Sequence, residues 1–183
     1  MEEKQLPQNV EVEKSLLGCV LMDKDATISV SAWLLPEHFF DSRHQIIYSA
    51  VLDLFNDALP VDLVTVVDKL KKQKKLTAAG GAGYVAELVT TVATAAHAEE
   101  YGEIIKEAAI RRGLITAGAN IAAIASDEDK PIDQVIDKSE KEVFDVAQTG
   151  TKANFVHIKD LLKEAYERAE RADNDESYLG VST

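Results

Sequence analysis

The chain is 183 residues long, room for one ordinary domain with an appendage or for two small domains, which excludes a large multi-lobed enzyme. Hydrophobic residues make up 46% and charged residues 28%, excluding a wholly disordered or fibrous chain, and 32 acidic against 20 basic residues give a net charge of −12. A surface that acidic repels phosphate backbones and anionic membranes, so an autonomous nucleic-acid binder is disfavoured.

Helical periodicity dominates the sequence, and almost nothing alternates with the period of a strand. Asn9 is placed to cap a first helix whose opening turn carries Glu11 and Glu13 and whose apolar face is Val12, Leu16, Cys19 and Val20. A short second helix is expected from Asp25 to Ser31. After the apolar link around Pro36, Phe39 and Phe40, the spacing of Ser42 and Gln45 predicts a capping box opening a third helix that stops before Pro60. Asp62 caps a fourth, with Leu63, Val66, Val67 and Leu70 inward, and it ends in the cluster Lys69, Lys71, Lys72, Lys74 and Lys75. Such a cluster reads as a solvated helix end balancing its dipole, with contact to nucleic acid or to an acidic partner face as the alternative. A glycine-rich turn over 78–83 leads into a fifth helix carrying Tyr84, Val85, Leu88 and Val89.

Thr94 is the expected cap of a long sixth helix reaching Ala125, with an apolar stripe through Tyr101, Ile104, Ala108, Ile115, Ile121 and Ile124. The acidic break at 126–130 separates it from a seventh helix opened by Pro131, striped by Ile132, Val135, Ile136, Val143 and Val146. Two long helices joined by so short a link pair most simply as an antiparallel hairpin. A lone hairpin buries little, so its second face is expected to pack against a second copy of the chain. A linker follows from Thr149, then an amphipathic helix over 158–172 with Ile158, Leu161, Leu162 and Ala165 on one face. That face either folds back or docks on a partner. The expected fold is thus all-α: a helical globular subdomain over 1–100, a hairpin subdomain over 101–148, and a linker with its docking helix over 149–183.

Chemistry-bearing motifs are absent. No Gly-Lys pair exists to build a phosphate loop, and Gly81-Ala82-Gly83-Tyr84-Val85-Ala86 fits a dinucleotide fingerprint only formally, since it follows a helix end and not a strand. The four histidines, His38, His44, His97 and His157, never take the i,i+4 spacing of a metal pair. Cys19 is a lone, apolar-flanked thiol without a sign of activation, and no nucleophile elbow is present. No catalytic, cofactor-binding or metal-ligating residue is nominated. The acidic opening is unlike a secretory signal and no run approaches the roughly 20 apolar residues of a membrane span, so a cytoplasmic protein without membrane contact is expected.

Taken together, Pro7-Gln8-Asn9, Glu11-Val12-Glu13, Leu17-Gly18, Phe39-Phe40, His44, Pro60-Val61-Asp62-Leu63-Val64-Thr65-Val66, Gly80-Gly81 with Tyr84, Thr94-Ala95-Ala96, Tyr101, Arg112-Gly113-Leu114-Ile115 and Gly180-Val181-Ser182-Thr183 carry a resemblance. In order and spacing they resemble the amino-terminal half of bacterial and phage replicative DNA helicases of the DnaB type, over essentially the whole chain. The sequence departs from that pattern at Ala58, where glycine is common, and around Arg111-Arg112-Gly113.

The resemblance implies an amino-terminal fragment whose closing Gly-x-x-Thr leads into a RecA-like motor. That motor would bind ATP and Mg, hydrolyse nucleotide and carry all contact with single-stranded DNA, so any enzyme activity belongs to the parent. The chain itself would be a non-catalytic collar in a homohexamer, with hairpins pairing into dimers through Tyr101, Ile104, Ile124, Val135 and Val143. The face of Ile158, Leu161, Leu162 and Ala165 would dock on the neighbouring motor domain. Glu11, Tyr84, Ile115 and Ile121 would respond to the carboxy-terminal domain of primase, and a helicase loader is a further implied partner. The alternative is a free-standing helical adaptor or loader-like scaffold protein of replication.

Overall fold

The computed structural model describes residues 6–151, and among them it has seven α-helices, one 3-10 turn and no strand. Helix α1 (Val10–Met22) is central. Asn9 Oδ1 accepts from the Val12 amide at 3.3 Å, and Glu11 and Glu13 sit in the first turn, as the local sequence predicts. Leu16, Leu17, Cys19, Val20 and Leu21 are all buried, so the second half of α1 is covered on nearly every side. Its neighbours are α2 (Lys24–Ser31), α3 (Ser42–Asn56), α5 (Gly81–Thr90) and α6 (Ala98–Ala125). The approach of α5 is close enough to require glycine: a Cβ on Gly18 would lie 2.5 Å from the Leu88 carbonyl oxygen.

Two caps differ from expectation. Helix α3 is capped by Asp41, which accepts from the Arg43 amide at 2.9 Å, while Ser42 lies inside the helix and Gln45 Nε2 donates to the Phe39 carbonyl. A carboxylate one residue upstream displaces the serine because it reaches the same free amides with a full negative charge. At α6, Thr94 Oγ1 accepts from the Ala96 amide at 3.2 Å, closing a local turn, and the helix begins only at Ala98 with no side-chain cap at His97. The Asp62 cap is as expected and is strengthened by Thr65, whose hydroxyl accepts from the Asp62 amide, on α4 (Leu63–Lys72). The Gly80-Gly81 pair, with φ of 92° and 84°, turns the chain from α4 into α5, and the formal dinucleotide pattern over 81–86 lies in the opening turns of α5.

Helix α6 and helix α7 (Ile132–Thr151) run antiparallel as a hairpin. Val146 packs 3.3 Å from the Cβ position of Gly113, and Asn120 Nδ2 donates to Glu142 at 2.8 Å. The single stripe expected along α6 is in fact two faces. Ala98, Gly102, Ile105 and Lys106 are buried against the head formed by α1 to α5, whereas Ala117, Ile121 and Ile124 face α7. Over 28 residues the contacts rotate because the helix serves one partner at its start and another at its end. Consequently Ile104 and Ile115, placed on the expected stripe, are exposed, and Tyr101 packs against the head core and not along the hairpin. Residues 152–183 lie outside the described residues, and with them the helix expected over 158–172 and its face of Ile158, Leu161, Leu162 and Ala165.

Candidate interaction surface

The hairpin has a seam and an outer face. On the seam, Gly113, Ala117, Ile121 and Ile124 of α6 and Val135, Ser139 and Val146 of α7 are buried or half-buried at helical spacings of three, four and seven, with Gly113 against Val146 and Ile121 beside Ser139. Val135 and Ile124, expected to pack between copies, are half-buried. The outer face carries Leu114, Ile115, Ile132, Ile136, Val143 and Phe144, all exposed, with Phe144 at 60%. Ile121, Ser139, Glu140, Val143, Phe144 and Ala147 line an open, apolar groove of about 550 Å³. Val143 and Phe144 of this set line the groove, which makes it a candidate association face.

A second constellation lies in the head. Glu13, only 2% exposed, accepts through Oε1 from the Phe40 amide (2.6 Å) and through Oε2 from the Asp41 amide (3.2 Å). His44 Nδ1 donates to the same Oε2 at 2.6 Å, and Nε2 meets the Tyr84 hydroxyl at 2.7 Å. Because the carboxylate only accepts, Nδ1 carries a proton and donates to it, while Nε2 and the Tyr84 hydroxyl share the second hydrogen bond. The phenol of Tyr84 is therefore fixed from α1 through α3, while its ring stacks on His44 and lies 4.4 Å under the Arg43 guanidinium. Arg43 is bound to the Asp41 carboxylate, whose pKa is lowered first by that hydrogen bond. Burial pushes the Tyr84 phenol up, opposed by the Arg43 charge. Glu11 is exposed and paired with Lys14 at 2.9 Å, a hydrogen bond that raises the Lys14 pKa. Ile115 and Ile121 belong to the hairpin, the first exposed and the second in the groove.

Head and hairpin are joined by Arg112. Its Nη1 donates to the Pro7 carbonyl (2.9 Å), its Nη2 to the His38 carbonyl (2.6 Å), and its guanidinium lies over the Phe40 ring. Sequence reasoning missed Phe144 and Leu114 as exposed apolar positions and gave Glu13 and His44 no shared role. Phe144 adjoins the Val143 stripe and was legible as a second apolar residue on α7. The pairing of Glu13 with His44, 31 positions apart, leaves no local signal. Among the described residues no group of three metal-binding side chains converges, and no helix is long and apolar enough to cross a membrane.

The family model described as the DnaB-like helicase N-terminal domain matches residues 5–107, which contain all of this head. The chain belongs to that family. The replicative DNA helicase DnaB of Geobacillus stearothermophilus is 35% identical over 178 residues, covering 97% of this chain and 39% of that helicase. The replicative DNA helicase DnaC of Bacillus subtilis is 34% identical, covering 92% and 37%. The chain thus spans less than half the length of these relatives. Among solved structures, the N-terminal domain of DnaB helicase from Mycobacterium tuberculosis matches with a TM-score of 0.74 and 37% identity, covering 77% of this chain and 99% of that one. A DnaB-like replicative helicase, described with its interactions with primase, matches with a TM-score of 0.70 and 27% identity, covering 90% and 37%.

Proposed function

We propose that this chain is the non-catalytic collar of a replicative DNA helicase, assembling copies through its hairpin and receiving primase on its surface. The observation that carries this reading is the exposed apolar face of α6 and α7, which leaves Ile136, Val143 and Phe144 in water unless another surface covers them. Hairpin pairing into dimers, and dimers into a hexamer, would cover it. The division into a head over 1–100, a hairpin over 101–148 and a linker over 149–183 belongs to the same proposal. In a parent protein, ATP and Mg would be bound by a motor domain that also holds single-stranded DNA, and the protein would work in the cytoplasm. A loader would be a second partner.

Primase is proposed because one structural relative is described with its interactions with primase. Glu11 and Tyr84 on the head and Ile115 and Ile121 on the hairpin are the proposed contacts. The mechanism is a population shift: primase bound more tightly to one packing of the collar than to another biases the ring toward it. Retention of the chain on immobilised carboxy-terminal domain of the cognate primase tests this. Tyr84→Ala and Ile115→Ala are each expected to reduce retention severalfold, and equal retention by both variants and the parent chain removes the proposed surface.

A further inference from the structure

The lysine cluster at the end of α4 is absorbed neither by the fold nor by the proposed collar role. A helix end attracts cations when its last carbonyls lack partners. Here the backbone supplies them: the Lys75 amide donates to the Leu70 carbonyl at 2.9 Å and the Lys74 amide to the Lys71 carbonyl at 3.0 Å. Lys74 takes the left-handed conformation that this closure demands, with φ of 57°, where glycine would sit without strain. Two of the five lysines are neutralised, Lys69 by Asp57 (3.3 Å) and Asp53 (3.9 Å), and Lys72 by Asp68 (2.7 Å). Lys71, Lys74 and Lys75 are exposed and have no ion pair among the described residues. They stand as a cationic end on a chain of net charge −12.

Exposed apolar side chains stand at the start of α4. Val64, in the first turn of α4, is 75% exposed, and Leu59, in the link before it, is 52% exposed. Along α4, Val64, Asp68 and Lys71 share one side by their helical spacing, and the Asp68 carboxylate between the two ends is paired with Lys72 at 2.7 Å. We propose that this face of α4 docks an acidic peptide segment of a partner protein, its carboxylates on Lys71, Lys74 and Lys75 and an apolar side chain against Val64 and Leu59. Charge complementarity fixes the sign of the partner. The apolar end selects a peptide over a nucleic acid, because the patch pairs its lysines with aliphatic side chains and holds no aromatic side chain on which bases stack.

Fluorescence anisotropy of the 183-residue chain with a labelled peptide of four aspartates followed by two leucines tests this, at low salt and with circular dichroism to verify folding of each variant. Saturable binding is expected, weakened about tenfold by Lys71→Glu with Lys75→Glu, severalfold by Val64→Ser, and unchanged by Lys24→Glu on α2. A peptide with serines in place of the aspartates is expected not to bind. The proposal is overturned by no saturable binding, by binding indifferent to the lysine substitutions, or by tighter binding of a single-stranded oligothymidylate with the same lysine dependence. Loss on charge reversal without any effect of Val64→Ser also overturns it, since a plain polyanion site would behave so.

Discussion

The head and the hairpin are built from the same kind of helix and bury their apolar residues to very different degrees. In the head, α1 is enclosed by four neighbours, and Leu16, Leu17, Val20, Ile47, Tyr48 and Val51 are fully buried. In the hairpin α7 packs on α6, and beyond its first turns α6 packs mainly on α7. Beyond Lys106 only Ala117 is buried among the described residues, while Leu114, Ile132, Ile136, Val143 and Phe144 face outward. A helix can bury only the sides that neighbours cover, so the number of neighbours, and not the apolar content, decides whether an isoleucine is core or surface. Arg112 stands at the junction and is held by the head through backbone carbonyls of Pro7 and His38, so the root of the hairpin is anchored while its tip is not.

That contrast can be broken most directly at Glu13. Exchange to glutamine removes one acceptor oxygen from a buried group that serves two backbone amides and His44, and leaves an amide donor facing donors. Glu13→Gln is expected to cost about 3 kcal/mol in urea unfolding, because the remaining donors stay buried without a partner. A loss below half of that would mean that the head tolerates unsatisfied groups as an open hairpin would.

The pH dependence of stability sharpens the same difference. His38 is buried in the head, its Nδ1 accepts from the Leu35 amide at 3.1 Å, and its Nε2 has no hydrogen-bond partner among the described residues. Burial, with a smaller contribution from the Lys106 and Arg112 charges, holds this imidazole below its ordinary value of 6.5, against the opposing Glu37 charge. The unfolded chain therefore takes up the proton first. Stability from this group is complete above pH 6.5 and is lost as the pH falls from there toward the lower folded value. Urea midpoints measured from pH 7.5 to 5.5 are expected to fall, and to fall less in His38→Asn, which keeps an acceptor for Leu35. Parallel pH profiles in the two proteins would contradict the assignment.

The smallest effect on stability is expected at the hairpin. Phe144→Ser changes a side chain that is already 60% exposed, so unfolding of the dilute chain should shift by no more than about 0.5 kcal/mol. Self-association, followed by light scattering over a concentration series, should weaken clearly if this face pairs with a second copy. A large loss of stability in dilute solution would show instead that Phe144 is core and that the contrast between the two regions is wrong.

Much of the head was legible because its signals are local. Asn9 and Asp62 cap the helices they precede, and the break at 126–130 together with Pro131 locates the hairpin turn within a residue. The misplaced caps, Ser42 and Thr94, fail for a competing local reason, since Asp41 reaches the same amides and Thr94 closes a turn of its own. The expected stripe on α6 fails for a non-local one. Periodicity marks which residues are apolar and assumes that one face stays inward, whereas α6 turns Gly102 and Ile105 to the head and Ile121 to α7.

By itself the sequence determined the all-α class, the helix order, the absence of a phosphate loop and the family resemblance, since these rest on caps, breaks and spacings within a few residues of one another. Only the tertiary structure decided that Glu13, His44 and Tyr84 form one hydrogen-bonded line across α1, α3 and α5, and that Ile104 and Ile115 are surface. It also decided that Lys71, Lys74 and Lys75 are left over after the α4 carbonyls and the neighbouring carboxylates are satisfied. Burial and pairing depend on what the chain brings from tens of residues away, and no local pattern records it.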